Sequence, residues 1–316
     1  MKRYLVVTID TEVDSPKWKP KHPLSLNNIK AIPRLQGLFK KYNIKATYLL
    51  SYPVATNKES IDILGEFLER KEIEIGAHLH PWTTPPFSSS KERFQLSYPH
   101  RSKLEFEKLL NLTKAIKESF KIQPVSYRAG RYGFDKETLE HLERLGYLVD
   151  CSITPTINWS FDGGPNFGDF LQTQPYFLNK EDLKNPGKSN ILEVPVSIVI
   201  NKQLPKFLGK LYRYSPLEIK YIFRKIKLVK TIWLRPSISS FEELRFLCDL
   251  LINKGNNVFN MMFHSNELVP GNSPYIKTET QVEIFFSRLE KILDYLISKK
   301  EAESKTLSEL RNIYRL

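Results

Sequence analysis

The sequence predicts an α/β fold: a distorted (β/α) barrel of seven or eight parallel strands, one domain over residues 1–316. Three observations carry that prediction. Short apolar or β-branched runs alternate with helical patterns along most of the chain, as parallel architectures require. The first run shows no polar alternation, the pattern of a strand buried on both faces. Successive runs end in acidic, imidazole or guanidinium side chains, where parallel sheets present their ligand sites.

Residues 3–9 (Arg-Tyr-Leu-Val-Val-Thr-Ile) form the first predicted strand and lead into Asp10-Thr11-Glu12-Val13-Asp14. Acidic residues at i, i+2 and i+4 past a strand end are placed to converge above the sheet. A helical pattern over 28–41 (Ile29, Ile32, Leu35, Leu38, Phe39) precedes a strand at 46–51, and a second helix and strand occupy 60–70 and 72–77. That second strand delivers Glu74-Ile75-Gly76-Ala77-His78-Leu79-His80-Pro81-Trp82, the most informative stretch of the chain. Side chains at i and i+2 of extended backbone share a side, so His78 and His80 present both imidazoles together. With a carboxylate they make a divalent-metal set.

The proline-studded loop 81–99 borders the histidine pair, as substrate-shaping loops do. Ser102-x-x-Glu105 opens a helix to about Phe120 by a capping box, and the strand at 125–127 ends in Arg128-Ala129-Gly130-Arg131-Tyr132-Gly133. Asp135 caps the next helix, closed by Gly146, and the strand at 147–151 carries Asp150 near its end. Residues 154–190 lose the alternation and read as an insertion, part of an elaborated region at about 154–234. Strands are predicted at 191–200, 231–234 (ending at Arg235) and 257–263 (ending at His264), helices at 240–253 and 279–298, and a short helix is capped by Thr306-x-x-Glu309. Asp10, Glu12, His78, His80, Arg128, Asp150, Arg235 and His264 all fall at strand ends.

Composition narrows the classes. The 41% hydrophobic and 12% aromatic content is that of an ordinary globule. A net charge of +13 argues for an anionic partner, and the segment 201–235 holds ten Lys or Arg against one Glu. Its interleaved apolar residues suit an anionic membrane surface or lipid-linked glycan. No nucleic acid is expected, since no recognised module is present. Two distant cysteines give no disulfide framework, the apolar run after Met1-Lys2-Arg3 stops at Asp10, and no stretch approaches 18 apolar residues. The expectation is a cytoplasmic location, with the basic segment as a peripheral contact to the inner face of the membrane.

Two histidines with one or two carboxylates suit zinc or a related divalent metal, acidifying water and polarising an acyl oxygen. A further carboxylate can serve as base and a histidine from another strand as acid. Neither a Gly-rich phosphate loop nor a Gly-x-Ser-x-Gly elbow competes.

Thr-Ile-Asp10 after a buried strand, Ala46-Thr47-Tyr48, Glu74 to His78, Tyr127-Arg128-Ala129, Gly146-Tyr147 with Asp150-Cys151-Ser152, His264 and Thr306 to Leu310 resemble the ordered landmarks of the polysaccharide deacetylases, the NodB-homology group or carbohydrate esterase family four. His-x-His-Pro-Trp with Pro85-Pro86-Phe87 resembles the WalW-like subgroup associated with surface glycans. The resemblance implies a metal-dependent hydrolase that removes N-acetyl or O-acetyl groups from a sugar of a surface polysaccharide or its precursor. It implies Asp10 as base, His264 as acid and Arg128 orienting Asp10. Two positions depart from the family: Thr11 stands where a second Asp is usual, and Trp82 where a second His is usual. Metal binding is therefore expected of Glu12, His78 and His80, with Asp14 in reserve, and substrate contact of Trp82, Arg131, Tyr132 and Arg235. A metal-free glycan-binding or assembly protein on the same barrel remains the alternative.

Overall fold

The computed structural model describes residues 1–17, 23–87, 102–160, 163–202 and 229–314. Among these, seven parallel strands follow one another around a curled sheet in the order β10 (Val258–His264), β1 (Arg3–Thr11), β2 (Ala46–Leu50), β3 (Ile73–Leu79), β4 (Ser126–Ala129), β5 (Val149–Asp150) and β7 (Leu192–Glu193). The short β11 (Ala302–Ser304) pairs with the first residues of β1, and β6 (Tyr176–Phe177) adds antiparallel to β7. Past β7 the chain closes the ring by backbone bonds: Val196 N donates to Ile153 O (3.0 Å) and Ser197 N to Asn260 O (3.1 Å). This is the predicted distorted barrel.

Helices cover the outer face, each started and stopped by local chemistry. Asn57 accepts from Ser60 N to begin α3 (Lys58–Glu69), after α1 (Ile32–Lys41) and the short α2 (Tyr52–Thr56). Asp135 caps α5 (Lys136–Arg144), which follows α4 (Ser102–Phe120). Full capping boxes open α6 (Phe241–Asn253) at Ser240 and α8 (Leu307–Ile313) at Thr306, on either side of α7 (Glu279–Asp294). The predicted helix 28–41 begins instead as a 3₁₀ turn, Asn27–Ala31, because Pro33 starts a new α-helical register.

The region 191–200 needs correction. It is not one strand: β7 stays in the barrel, whereas β8 (Ile198–Lys202) pairs antiparallel with β9 (Val229–Trp233) in a separate ribbon. The predicted strand 231–234 therefore belongs to that ribbon and not to the parallel sheet. Most of the basic segment 201–235, and loop residues 88–99, lie outside the described residues.

The parallel register fixes what meets at the barrel mouth. Asp10 is paired with His264, and His78 with Arg128. Asp150 and Glu193 are also register partners, both wholly buried. Burial pushes both carboxyls up, and the neighbouring Asp150 pushes Glu193 up further, so the pair holds a proton above the ordinary carboxylate range. A carboxyl raised in the folded state stabilises the fold below its unfolded value and loses that contribution as pH climbs through the folded value. Thermal unfolding is thus expected to show stability falling as pH rises above the ordinary 4.5 of glutamate, and Glu193→Gln to flatten that fall. An unchanged slope in the variant would place the dependence elsewhere.

Candidate metal and catalytic centre

Asp10 sits at the floor of a cleft of about 390 Å³ and is 1% exposed. Its Oδ1 accepts from Arg128 Nη1 at 2.6 Å, and its Oδ2 lies 3.6 Å from His264 Nε2 and 3.9 Å from His78 Nε2. Arg128 is wholly buried and fully committed: Nε donates to Cys151 O (3.0 Å) and Nη2 to Thr8 Oγ1 (2.7 Å). Thr8 is tied in turn to β10 through Asn260 Oδ1 (3.0 Å). Burial alone would raise the Asp10 carboxyl, but Arg128, with His78 and His264 adding, holds it well below the usual carboxylate range. Asp10 is a fixed anion at any working pH.

Glu12, His78 and His80 bring ligand atoms within 4.8 Å of one another, and all three are buried. His78 Nδ1 lies 3.0 Å from Arg128 O, so it donates there and leaves the Nε2 lone pair facing the cleft. His80 Nε2 lies 3.2 Å from Glu12 Oε2, and its ring stacks on Trp82 (4.3 Å between centroids, 25° between planes). Glu12 is held by Asn266 Nδ2 at Oε1 (3.0 Å), and burial pushes its carboxyl up to about 7. Burial lowers both imidazoles. The donor set, two neutral imidazoles and one carboxylate facing a cleft, fits a divalent cation with open positions.

Two sequence positions are accounted for by their bonds. Thr11 turns its hydroxyl to Ile9 O (3.0 Å) and offers the cleft no carboxylate. Asp14 lies outside the donor group; its oxygens accept from Asn27 N (2.9 Å), Asn28 Nδ2 (2.7 Å) and Asn272 Nδ2 (2.8 Å), which pins the loop after β1. Its reserve role as ligand is not what the geometry favours.

On the opposite side, His264 Nδ1 faces two groups, Arg235 Nη2 at 2.9 Å and Glu267 Oε1 at 3.3 Å. Arg235 and Glu267 are themselves ion-paired and buried. The guanidinium always donates, so in the neutral ring Nδ1 accepts and the proton sits on Nε2, toward Asp10. Once the ring is doubly protonated, Glu267 is there to accept from Nδ1. Burial would raise Glu267, but Arg235 and His264 bring it down to about 2, keeping it ionised. Arg235, expected at the substrate, lines the cleft with its guanidinium already engaged and stacked over Tyr275 (4.8 Å).

Trp82, Arg131 and Tyr132 line the cleft as the sequence suggests. Arg131 and Tyr132 both have positive φ (50° and 56°), a backbone cost of about 1–3 kcal/mol each that tertiary contacts must offset. Trp159, Trp233 and Tyr275 also line it, with Tyr132 stacked on Trp159 (5.1 Å, 20°) and tilted against Trp233 (6.0 Å). Sequence reasoning passed over these three and Glu267. One signal was available: tryptophan is rare in the chain, and all three among the described residues line this cleft.

No family model and no curated protein matches the sequence. Solved structures do match in fold. A Parabacteroides distasonis protein described as a glycoside hydrolase/deacetylase aligns with TM-score 0.65 at 11% identity, covering 99% of this chain and 72% of its own. A Mycobacterium smegmatis protein described as a polysaccharide deacetylase gives TM-score 0.56 at 14% identity, covering 99% and 91%. The 4-α-glucanotransferase of Thermococcus litoralis gives 0.55 at 12% identity, covering 99% of this chain and 41% of that one. At such identities the likeness is one of fold: the chain adopts the barrel found in polysaccharide deacetylases, a barrel also present in a glucanotransferase.

Proposed function

We propose that the chain is a metal-dependent hydrolase that removes an N-acetyl group from a sugar, with an O-acetyl group as the alternative ester substrate. The supporting observation is the convergence, in one aromatic-walled cleft, of the Glu12, His78 and His80 donors with Asp10 and His264 from neighbouring strands. A divalent cation, zinc by its donor preferences, would be held by those three residues and would acidify water and polarise the acyl oxygen.

Asp10 Oδ2 takes the proton of the attacking water, and Arg128 keeps that carboxylate aimed. His264 gives a proton from Nε2 to the leaving amine, while Glu267 and Arg235 fix the ring from its Nδ1 side. Tyr132, Trp159 and Trp233 receive the apolar face of the sugar and exclude water from the reacting bond. The WalW-like motif set points to a surface glycan or its lipid-linked precursor, and the basic segment to the anionic surface that would carry it. Among the described residues no helix is long and apolar enough to cross a membrane.

Thr11 favours a second reading, a glycan-binding protein without chemistry, since the family's second acidic ligand is missing. Protein purified without chelator is expected to carry about one divalent ion per chain and to release acetate from N-acetylated oligosaccharides. Chelation should abolish that release and zinc restore it. Bound sugar with no acetate released would select the second reading. New reducing ends would move the chain to glycosidic chemistry.

A further inference from the structure

Lys108, on α4, is 2% exposed, an unusual burial for an ammonium. It donates to three carbonyls of one turn: Pro81 O (3.0 Å), Thr84 O (2.7 Å) and Pro86 O (2.6 Å). The Phe87 ring lies 4.7 Å from its Nζ. Asn111, three residues on and so on the same helix face, donates to Pro85 O (3.1 Å). The prolines lack N–H groups, so the turn cannot satisfy these carbonyls from within. At its other end the turn closes on a ligand: Thr84 Oγ1 and Thr83 N donate to the carbonyl of His80, at 2.8 and 3.1 Å.

We propose that Lys108 is a positioning residue for the candidate metal centre. Its ammonium fills a cage of carbonyl oxygens as a bound monovalent cation would, and so fixes the 80–86 turn that aims His80 and Trp82. This rests on the metal reading of His80 for its second readout, not for its first.

Lys108→Ala leaves room for a small amine. In metal-free protein, amide hydrogen exchange at Trp82, Thr83, Thr84 and Phe87 is expected to quicken at least about tenfold in this variant, with β1 to β3 unchanged. Added propylammonium should slow it again. Zinc affinity by calorimetry should fall about 10–100-fold and recover with the same amine. Lys108→Met keeps the stem's volume and drops the charge; it should lose the turn's protection and keep the barrel's. Wild-type exchange in both variants overturns the inference, and so does a loss that propylammonium leaves untouched, which would mark the lysine as packing alone. If the exchange results hold but the wild type binds no zinc, the metal reading fails and the positioning of the turn stands.

Discussion

Asp10→Asn is expected to lower the proposed deacetylation by about 10²–10⁴-fold, the usual contribution of a placed general base. It should also destabilise the fold, because Arg128 is wholly buried and Asp10 is the carboxylate hydrogen-bonded to its guanidinium. Removing one partner of a buried ion pair costs roughly 3–5 kcal/mol, and the amide oxygen that remains would put this variant toward the lower end. The two effects can be separated. In Asp10→Asn with Arg128→Met the stranded charge is gone, so the double variant should lose less stability than the sum of the singles, with activity still absent. Urea midpoints and kcat/KM measured on the four proteins decide it. His264→Ala is the contrast: its side chain is 12% exposed at the cleft and its loss leaves the Arg235–Glu267 pair intact, so activity should fall comparably with little change in midpoint. Activity within tenfold of wild type in Asp10→Asn would remove Asp10 as base.

What the sequence reveals of this centre depends on how far each signal travels along the chain. His78 and His80 are legible because strand geometry alone puts i and i+2 on one side, and Asp10 because an all-apolar strand ends on it. The partnership of Asp10 with His264 spans most of the chain, yet it too is readable once the strands are taken as parallel. The β8–β9 ribbon is not, since a β-branched run says nothing about which strand it will pair with. Glu267 lies three residues past His264, but only the 3₁₀ turn Ser265–Leu268 brings it back to Nδ1. Lys108 is hidden for a different reason: in a helical pattern a lysine reads as solvated, and nothing local announces a carbonyl cage above it.

The aromatic wall shows the same limit. Trp159 comes from an irregular stretch without hydrophobic period, and it reaches the cleft because its Nε1 is anchored to Thr154 Oγ1 (2.7 Å) and its ring stacks on Tyr132. Tyr132 in turn holds its left-handed backbone beside Gly130, which joins the wall to the metal side of the cleft. A substitution at that junction therefore reaches His80 and Tyr132 together.

Gly130→Ala is expected to be the most damaging change at a residue that offers no ligand. A Cβ there would lie 2.3 Å from His80 Cδ2 and 2.4 Å from Leu79 O, against 3.4–4 Å for ordinary contact. The obstacle is a β3 carbonyl and a ring already stacked on Trp82 and packed at a tilt against His78, so neither can move aside without disturbing the donor set. Zinc affinity should fall by about 10–100-fold or more, as for the loss of groups that orient metal ligands, and the overpacked site should cost about 1–3 kcal/mol in stability. Gly37→Ala is the matched control: nothing lies within 4 Å of its Cβ position in α1, and alanine should raise stability by about 0.5–1 kcal/mol. Calorimetric zinc titration of Gly130→Ala beside His80→Ala then reads the cause. Loss in both, to similar degree, means the glycine acts through the His80 ring. Loss in His80→Ala alone means the turn at Gly130 yields freely, and wild-type affinity in both means that His80 does not hold the metal.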